Sequence, residues 1–205
     1  MQMESRLPPT ASTSGRLTEP RLQSQHGREA VLLIEYRNLK YHAPPGVYVM
    51  PSFESLQAWE GAVFVRQGLY KGGIFKFTIR IPDGYPKEWP SVRFTTPLLH
   101  PQVDSQGFLN LTLLLQGQTL VQGYIVSLLK YIHDVFHSIV TESPANPYAA
   151  VMYKDARRQF AQQAEDCASK SSSAALQTRP GASLRFQEFN LEHQEALEDI
   201  LQRQI

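Results

Sequence analysis

The hydrophobic period changes from about two over residues 58–95 to about 3.6 beyond Tyr124, and that change limits what the chain can fold into. Residues 58–95 carry short apolar runs parted by turns. Within Ile74–Ile81 the second half alternates apolar and polar, as a half-buried strand does. From Tyr124 to Val140 the pattern is helical: Ile125, Leu128, Leu129, Ile132, Val135, Phe136 and Ile139 fall on one stripe. Strands followed by helices, rather than strands alternating with helices, point to an α+β domain with an antiparallel sheet.

The strand region divides at its turns. Ala62–Val65 is one strand, and Tyr70-Lys71-Gly72-Gly73 turns the chain into Ile74–Ile81. Pro82-Asp83-Gly84-Tyr85-Pro86 makes the next turn, before a strand at Val92–Thr95. Leu109 to Leu115 is apolar but short and reads as a weak fourth strand or a buried loop. Upstream, Val31, Leu32, Ile34, Tyr36 and Leu39 suit a short helix from Arg28 to about Tyr41, stopped by Ala43-Pro44-Pro45-Gly46. Downstream, Ser143-Pro144-Ala145-Asn146-Pro147 ends the long helical stripe. Tyr148 to about Ser169 then reads as another helix, with Val151, Met152, Tyr153 and Phe160 inward.

Both ends are polar. Residues 1–27 are rich in Ser, Thr, Pro, Gln and Arg and read as a disordered tail. The expected organisation is a folded domain over 28–169, a linker over 170–189 and a C-terminal helix over 190–205. Asn190 suits the cap of that helix, and Leu191, Leu197, Ile200 and Leu201 form its apolar stripe. Such a helix after a linker serves equally as a packing element of its own domain or as a docking helix.

Composition narrows the function classes. A net charge of +1 over 205 residues gives no field that would gather nucleic acid or an anionic membrane. No run approaches the roughly 20 apolar residues of a membrane helix, and the first 30 residues hold no signal-peptide core. The single cysteine, Cys167, excludes an internal disulfide framework and suits a reducing compartment. Cytosol, with or without the nucleus, is the expected location.

One segment carries a motif: His100-Pro101-Gln102-Val103-Asp104-Ser105-Gln106-Gly107-Phe108-Leu109-Asn110-Leu111. It resembles the active-site segment of ubiquitin-conjugating enzymes (E2s), which reads His-Pro-Asn, a short acidic turn, Gly-x-Ile, then the catalytic Cys and a Leu. Counted without a gap, the Cys position falls on Asn110 and the motif Asn on Gln102. Other elements agree in order. Pro45-Gly46-Val47 resembles the entry to that family's first strand, and Tyr70-x-Gly72-Gly73-x-Phe75 its first hairpin. Tyr85-Pro86-x-x-Trp89-Pro90-x-Val92-x-Phe94 resembles its Tyr-Pro-x-x-Pro-Pro-x-Val-x-Phe element, with Trp89 replacing a Pro. Asn146-Pro147 matches the dipeptide between its last long helices. The Trp-x-Pro that often follows the family's site is absent, with Gln118 and Leu120 in its place.

The resemblance implies the E2 (UBC-like) fold: an N-terminal helix, a four-stranded antiparallel meander and C-terminal helices. Gly46–Gln57 and Phe64–Lys71 also resemble one inactive branch, the fused-toes or Akt-interacting protein family, to which the insect crossbronx and crossbronx-like proteins belong, the crossbronx-like ones being nearest. That branch implies an adaptor without catalysis, partnered by Hook-type coiled coils that link vesicles to microtubule motors. It also implies ties to Akt kinase and to telomere maintenance. The alternatives are a ubiquitin-pathway co-factor that binds an active E2 or ubiquitin, and a residual conjugating enzyme.

The chemistry of these residues argues against the last. An E2 needs a thiolate to accept ubiquitin and an amide to stabilise the oxyanion. A carboxamide is no thiolate and forms no thioester. Losing one oxyanion donor alone lowers a rate by ~100–1000-fold. His100, with no nucleophile to serve, reads as a turn-shaping residue. Cys167 lies far along the chain, beside Glu165 and Asp166 in the helical tail, and reads as an ordinary helix cysteine. His133-Asp134-Val135-Phe136-His137 echoes a zinc-protease helix, but Asp replaces the Glu and no third ligand is evident. No metal, cofactor or phosphate-binding loop is expected.

Overall fold

A computed structural model describes residues 25–116, 124–177 and 181–186, together with Gln194, Asp199, Ile200 and Gln202. Helix α1 (Gln25–His42) leads into strands β1 (Val47–Pro51), β2 (Ala58–Phe64), β3 (Ile74–Arg80) and β4 (Ser91–Phe94). Four helices follow: α2 (Thr112–Gln116), α3 (Tyr124–Asp134), α4 (Pro147–Asp155) and α5 (Arg157–Ala175). The strands pair antiparallel in sequence order, β1-β2-β3-β4, so every connection is a hairpin or short loop. This is the expected α+β meander.

Alternation along the strands sends Trp59, Val63, Phe75, Phe77, Ile79, Val92 and Phe94 to one face, where all are buried. Helix α3 covers that face with Ile125, Leu128, Leu129 and Ile132. Phe136 fills the centre. Its ring stacks on Phe75 at 4.9 Å and meets Tyr70 and Phe94 edge-on at 5.5 and 5.7 Å. From α1, Leu32, Glu35 and Leu39 face inward at helical spacing.

The structure redraws several expected elements. The four strands do not include 109–115; that run becomes a loop and the short helix α2. The strand that the sequence pattern does not reveal is β1, an edge strand, where Pro51 deprives no inner ladder of a donor. The long stripe stays buried through Phe136, but α3 ends at Asp134 and a tight turn carries Val135 and Phe136 inward. The next expected helix is two, broken at Ala156, whose φ of −131° and ψ of 52° are not helical. With that phase, Ala149, Ala150 and Met152 face inward and Val151 is exposed. On α1, Ile34 and Tyr36 are likewise exposed, while Glu35 is buried.

The expected ends also shift. Helix α1 begins at Gln25, so Gln25, His26 and Gly27 belong to it rather than to the tail. The described part of the expected linker over 170–189 is structured: α5 continues to Ala175, and residues 181–186 bond to the sheet, while 178–180 and 187–189 lie outside the described residues. Ser171 explains part of this, since its hydroxyl accepts from the Ile74 N–H at 3.0 Å and donates to the Ala168 carbonyl. Of the expected last helix, the four described residues are helical and Ile200 is exposed. Its Leu191, Leu197 and Leu201, and the tail up to residue 24, lie outside the described residues. Among the described residues no helix is long and apolar enough to cross a membrane.

Candidate functional site

The segment from His100 to Asn110 folds as a closed loop between β4 and α2. Asp104 organises its tip: one carboxylate oxygen accepts from the Gln106 and Phe108 N–H groups, both at 2.8 Å. Gly107 sits at φ +90°, and a Cβ there would collide with the Phe94 carbonyl, so only glycine fits. The backbone N–H of Asn110 donates to the Gln102 carbonyl at 2.8 Å, which brings the two motif positions together.

His100 is fully buried and fully used. Its Nε2–H donates to the Val135 carbonyl at 2.9 Å, and Nδ1 accepts from the Gln102 N–H at 3.0 Å. Those partners assign the tautomer. Burial pushes the imidazole pKa down to about 4, against a smaller pull upward from the Val135 carbonyl, so the ring is neutral near pH 7. It joins the loop to the turn that follows α3.

Gln102 is 1% exposed. Its amide nitrogen donates to two carbonyls of the 140–142 segment, Val140 at 3.1 Å and Glu142 at 3.0 Å. Both side-chain donors are therefore consumed inside the protein, and its Oε1 is buried with no partner. An oxyanion at this loop would find no free donor on Gln102.

Asn110 is half-buried, and both ends of its carboxamide are engaged. Oδ1 accepts from the Thr112 N–H at 3.0 Å, which starts α2 with an Asx turn. Nδ2 donates to the Ser143 carbonyl at 2.8 Å. Among the described residues Ser143 is the non-glycine with positive φ, 44°, so Asn110 holds a strained turn. The Tyr131 hydroxyl, whose pKa burial raises, donates to the Asn110 carbonyl at 2.9 Å. Asn110 thus ties α2, α3 and the 143 turn together. Asn146 adds a further tie: its N–H donates to the Pro101 carbonyl at 2.9 Å, and its side chain caps α4 by accepting from the Ala149 N–H.

At Asn110, Gln102 and His100 the loop presents hydrogen-bonded amides and a buried imidazole with both nitrogens engaged, so none of the three is free to attack a substrate. Ser143 and Tyr131 were not legible as its partners. Ser143-Pro144 signals a turn, but only tertiary closure shows which side chain supports it. Gln118 and Leu120 lie outside the described residues.

Of the other candidates, Cys167 borders this loop and the histidine pair belongs to the end of α3. Cys167 is half-buried on α5, where it lines a groove with Arg93, Asp104, Gln106 and Asn146 but not with Asn110. His133 and His137 stack at 4.2 Å, with His133 Nδ1 3.0 Å from the exposed Asp134 carboxylate and His137 Nδ1 bonded to the His133 carbonyl. The two rings lie face to face although α3 ends at Asp134. Among the described residues no three His, Cys, Asp or Glu side chains gather to hold a metal.

Sequence comparison agrees with this architecture. The family model for ubiquitin-conjugating enzyme matches residues 31–168. AKT-interacting protein homolog A of Xenopus laevis is 37% identical over 164 residues, covering 72% of this chain and 56% of that protein. AKT-interacting protein of Homo sapiens is 39% identical over 159 residues, covering 72% and 53%. That of Rattus norvegicus is 41% identical over 128 residues, covering 62% and 44%. The chain spans about half the length of the curated relatives it matches. With its meander, its helices and its His-Pro loop in the family's order, the chain belongs to the ubiquitin-conjugating enzyme family, as a variant similar to the AKT-interacting proteins.

Proposed function

We propose that this chain is a catalytically inactive E2-like domain that serves as a protein adaptor. One observation carries the reading: Asn110 stands where the family motif puts its nucleophile, and both ends of its carboxamide hold backbone. A residue committed in this way supports a scaffold. Gln102 agrees, since its amide donors are spent on the 140–142 carbonyls. A fold that retains its loop while these groups brace it is suited to binding rather than acyl transfer.

The partner is a protein. The relatives are named for interaction with AKT, and a protein-binding role carries over from them as part of this proposal. The family resemblance makes Hook-type coiled coils in vesicle trafficking the first partner to test, in the cytoplasm. The test is affinity capture from cells with the wild-type chain and with Asn110→Cys. The adaptor reading expects the same Hook-type coiled coils with both. Recovery of an active conjugating enzyme or ubiquitin instead would move the reading to a ubiquitin-pathway co-factor. Loss of the partner in Asn110→Cys would place the binding surface at the His-Pro loop.

A further inference from the structure

His133 and His137 stand four residues apart, and two core residues lie between them: Val135 and Phe136 are buried. Helix α3 ends at Asp134, but the turn after it stays tight. The His137 and Ser138 N–H groups both donate to the Asp134 carbonyl, at 3.0 and 2.8 Å. Residues 133 and 137 therefore remain about one turn apart, and their side chains return to the same side. The imidazoles stack with centres 4.2 Å apart and planes 22° apart. The stack lies at the surface: the His133 side chain is 24% exposed and His137 is exposed. The buried pair between them gives it a fixed base.

Each ring has its Nδ1 committed. His133 Nδ1 is 3.0 Å from an Asp134 carboxylate oxygen, and His137 Nδ1 is 2.9 Å from the His133 carbonyl oxygen. Both partners are acceptors, so each Nδ1 carries the proton and Nε2 of the neutral ring carries the lone pair. Among the described residues neither Nε2 makes a hydrogen bond. Metal-ligating histidines are arranged in this way. Their second nitrogen donates to a carboxylate or a backbone carbonyl, which fixes the tautomer and raises the basicity of the ligating nitrogen. One ring of this pair uses the first kind of acceptor and the other uses the second. An ion held at about 2.0–2.1 Å by each nitrogen bridges nitrogens roughly 3–4 Å apart, close to the separation of the stacked rings.

We propose that His133 and His137 form a binding site for a divalent late transition-metal ion, zinc or copper, held by their two Nε2 atoms. Imidazole suits these ions, whereas magnesium and calcium take oxygen ligands. No third His, Cys, Asp or Glu joins the pair among the described residues, so water fills the remaining positions of the ion. The Asp134 carboxylate, 68% exposed, orients His133 and adds a favourable charge beside the ion. A site with two protein ligands holds its metal less tightly than a closed four-ligand structural site. It uses neither Asn110 nor Gln102, so it stands whether or not the domain is catalytic.

The test titrates the 205-residue chain with zinc chloride and follows the imidazole rings by proton–nitrogen correlation NMR. Without zinc both rings should show the Nδ1–H tautomer. Zinc should shift the two Nε2 signals together and saturate at one ion per chain. By calorimetry, zinc should bind at least about tenfold more weakly to His133→Ala, whose ring supports no backbone group. His137→Ala should lose binding likewise. Asp134→Ala keeps both ligands and should bind zinc about tenfold more weakly. Copper(II) should bind more tightly than zinc, and magnesium should not bind. Zinc-free urea midpoints check the fold, and those of His133→Ala and Asp134→Ala should match the wild type. Unchanged zinc affinity in His133→Ala overturns the proposal. So does zinc that shifts the rings of His26, His42 or His193 instead, an Nε2–H tautomer in both rings, or absence of saturation at millimolar zinc.

Discussion

Replacing Asn110 by Cys should destabilise the domain, although it restores the residue that the family motif calls for. The thiol is a weak donor and a weak acceptor. It cannot replace the Thr112 N–H to Oδ1 bond at 3.0 Å or the Nδ2 to Ser143 bond at 2.8 Å. Each such bond contributes roughly 0.5–1.5 kcal/mol net, so both together contribute about 1–3 kcal/mol. The half-exposed position argues for the lower half of that range, since water can reach part of what is freed. With a urea m-value of about 2 kcal/mol/M, the unfolding midpoint should fall by roughly 0.5–1 M. Asn110→Ser gives an internal control. Its hydroxyl can still accept from the Thr112 N–H but cannot reach Ser143, so its midpoint should lie between the two. A midpoint for Asn110→Cys equal to the wild type would refute the bracing role, and with it the claim that this position has been given over to structure.

Three further outcomes follow from buried groups. Phe136→Ala should destabilise by roughly 3–5 kcal/mol, read by urea midpoint, because Phe136 is 1% exposed among four rings; a soluble variant with an unchanged midpoint would misplace the core. His100 titrates at about 4 when folded and at about 6.5 when unfolded. Its contribution is therefore fully present above about pH 6.5 and is lost as pH falls toward 4, by roughly 3 kcal/mol in all; an NMR signal from its ring that titrates near pH 6.5 in the folded protein would contradict this. Gln102→Ala should leave the Val140 and Glu142 carbonyls without their donor and lower the urea midpoint by about 0.5–1.5 M, for about 1–3 kcal/mol.

The fold was legible where period and packing agree. Ile74–Arg80 alternates because one face is core, and Ile125–Ile132 repeats at helical spacing because α3 crosses that same face. Legibility failed where burial outlasts secondary structure. Val135 and Phe136 continue the apolar stripe past the end of α3, so the pattern overstates the helix. The break at Ala156 carries no proline or glycine and leaves no local signal. Leu109–Leu115 resembles a strand because it is short and apolar; Asn110 starts a helix there through a bond the sequence does not display. At the loop itself, the motif positions of Asn110 and Gln102 come from spacing alone. Their bracing roles do not, because Ser143, Val140 and Glu142 come from a segment distant in sequence. The segment 181–186 has the polar serine and glycine of a linker; its hydrogen-bond partners, Glu60 and Phe53, lie on and beside the sheet.

Ubiquitin charging tests the central claim most directly. The 205-residue wild type, Cys167→Ser and Asn110→Cys are each mixed with ubiquitin, activating enzyme and ATP and run on non-reducing gels. No thiol-sensitive adduct is expected on the wild type or on Cys167→Ser, because the Asn110 carboxamide is bonded at both ends and forms no thioester, and Cys167 lies on α5 rather than at the motif's cysteine position. Asn110→Cys should also stay uncharged, since the Gln102 amide donors remain tied to Val140 and Glu142. A reducible ubiquitin adduct on the wild type that disappears in Cys167→Ser would contradict the adaptor reading and make this chain an enzyme.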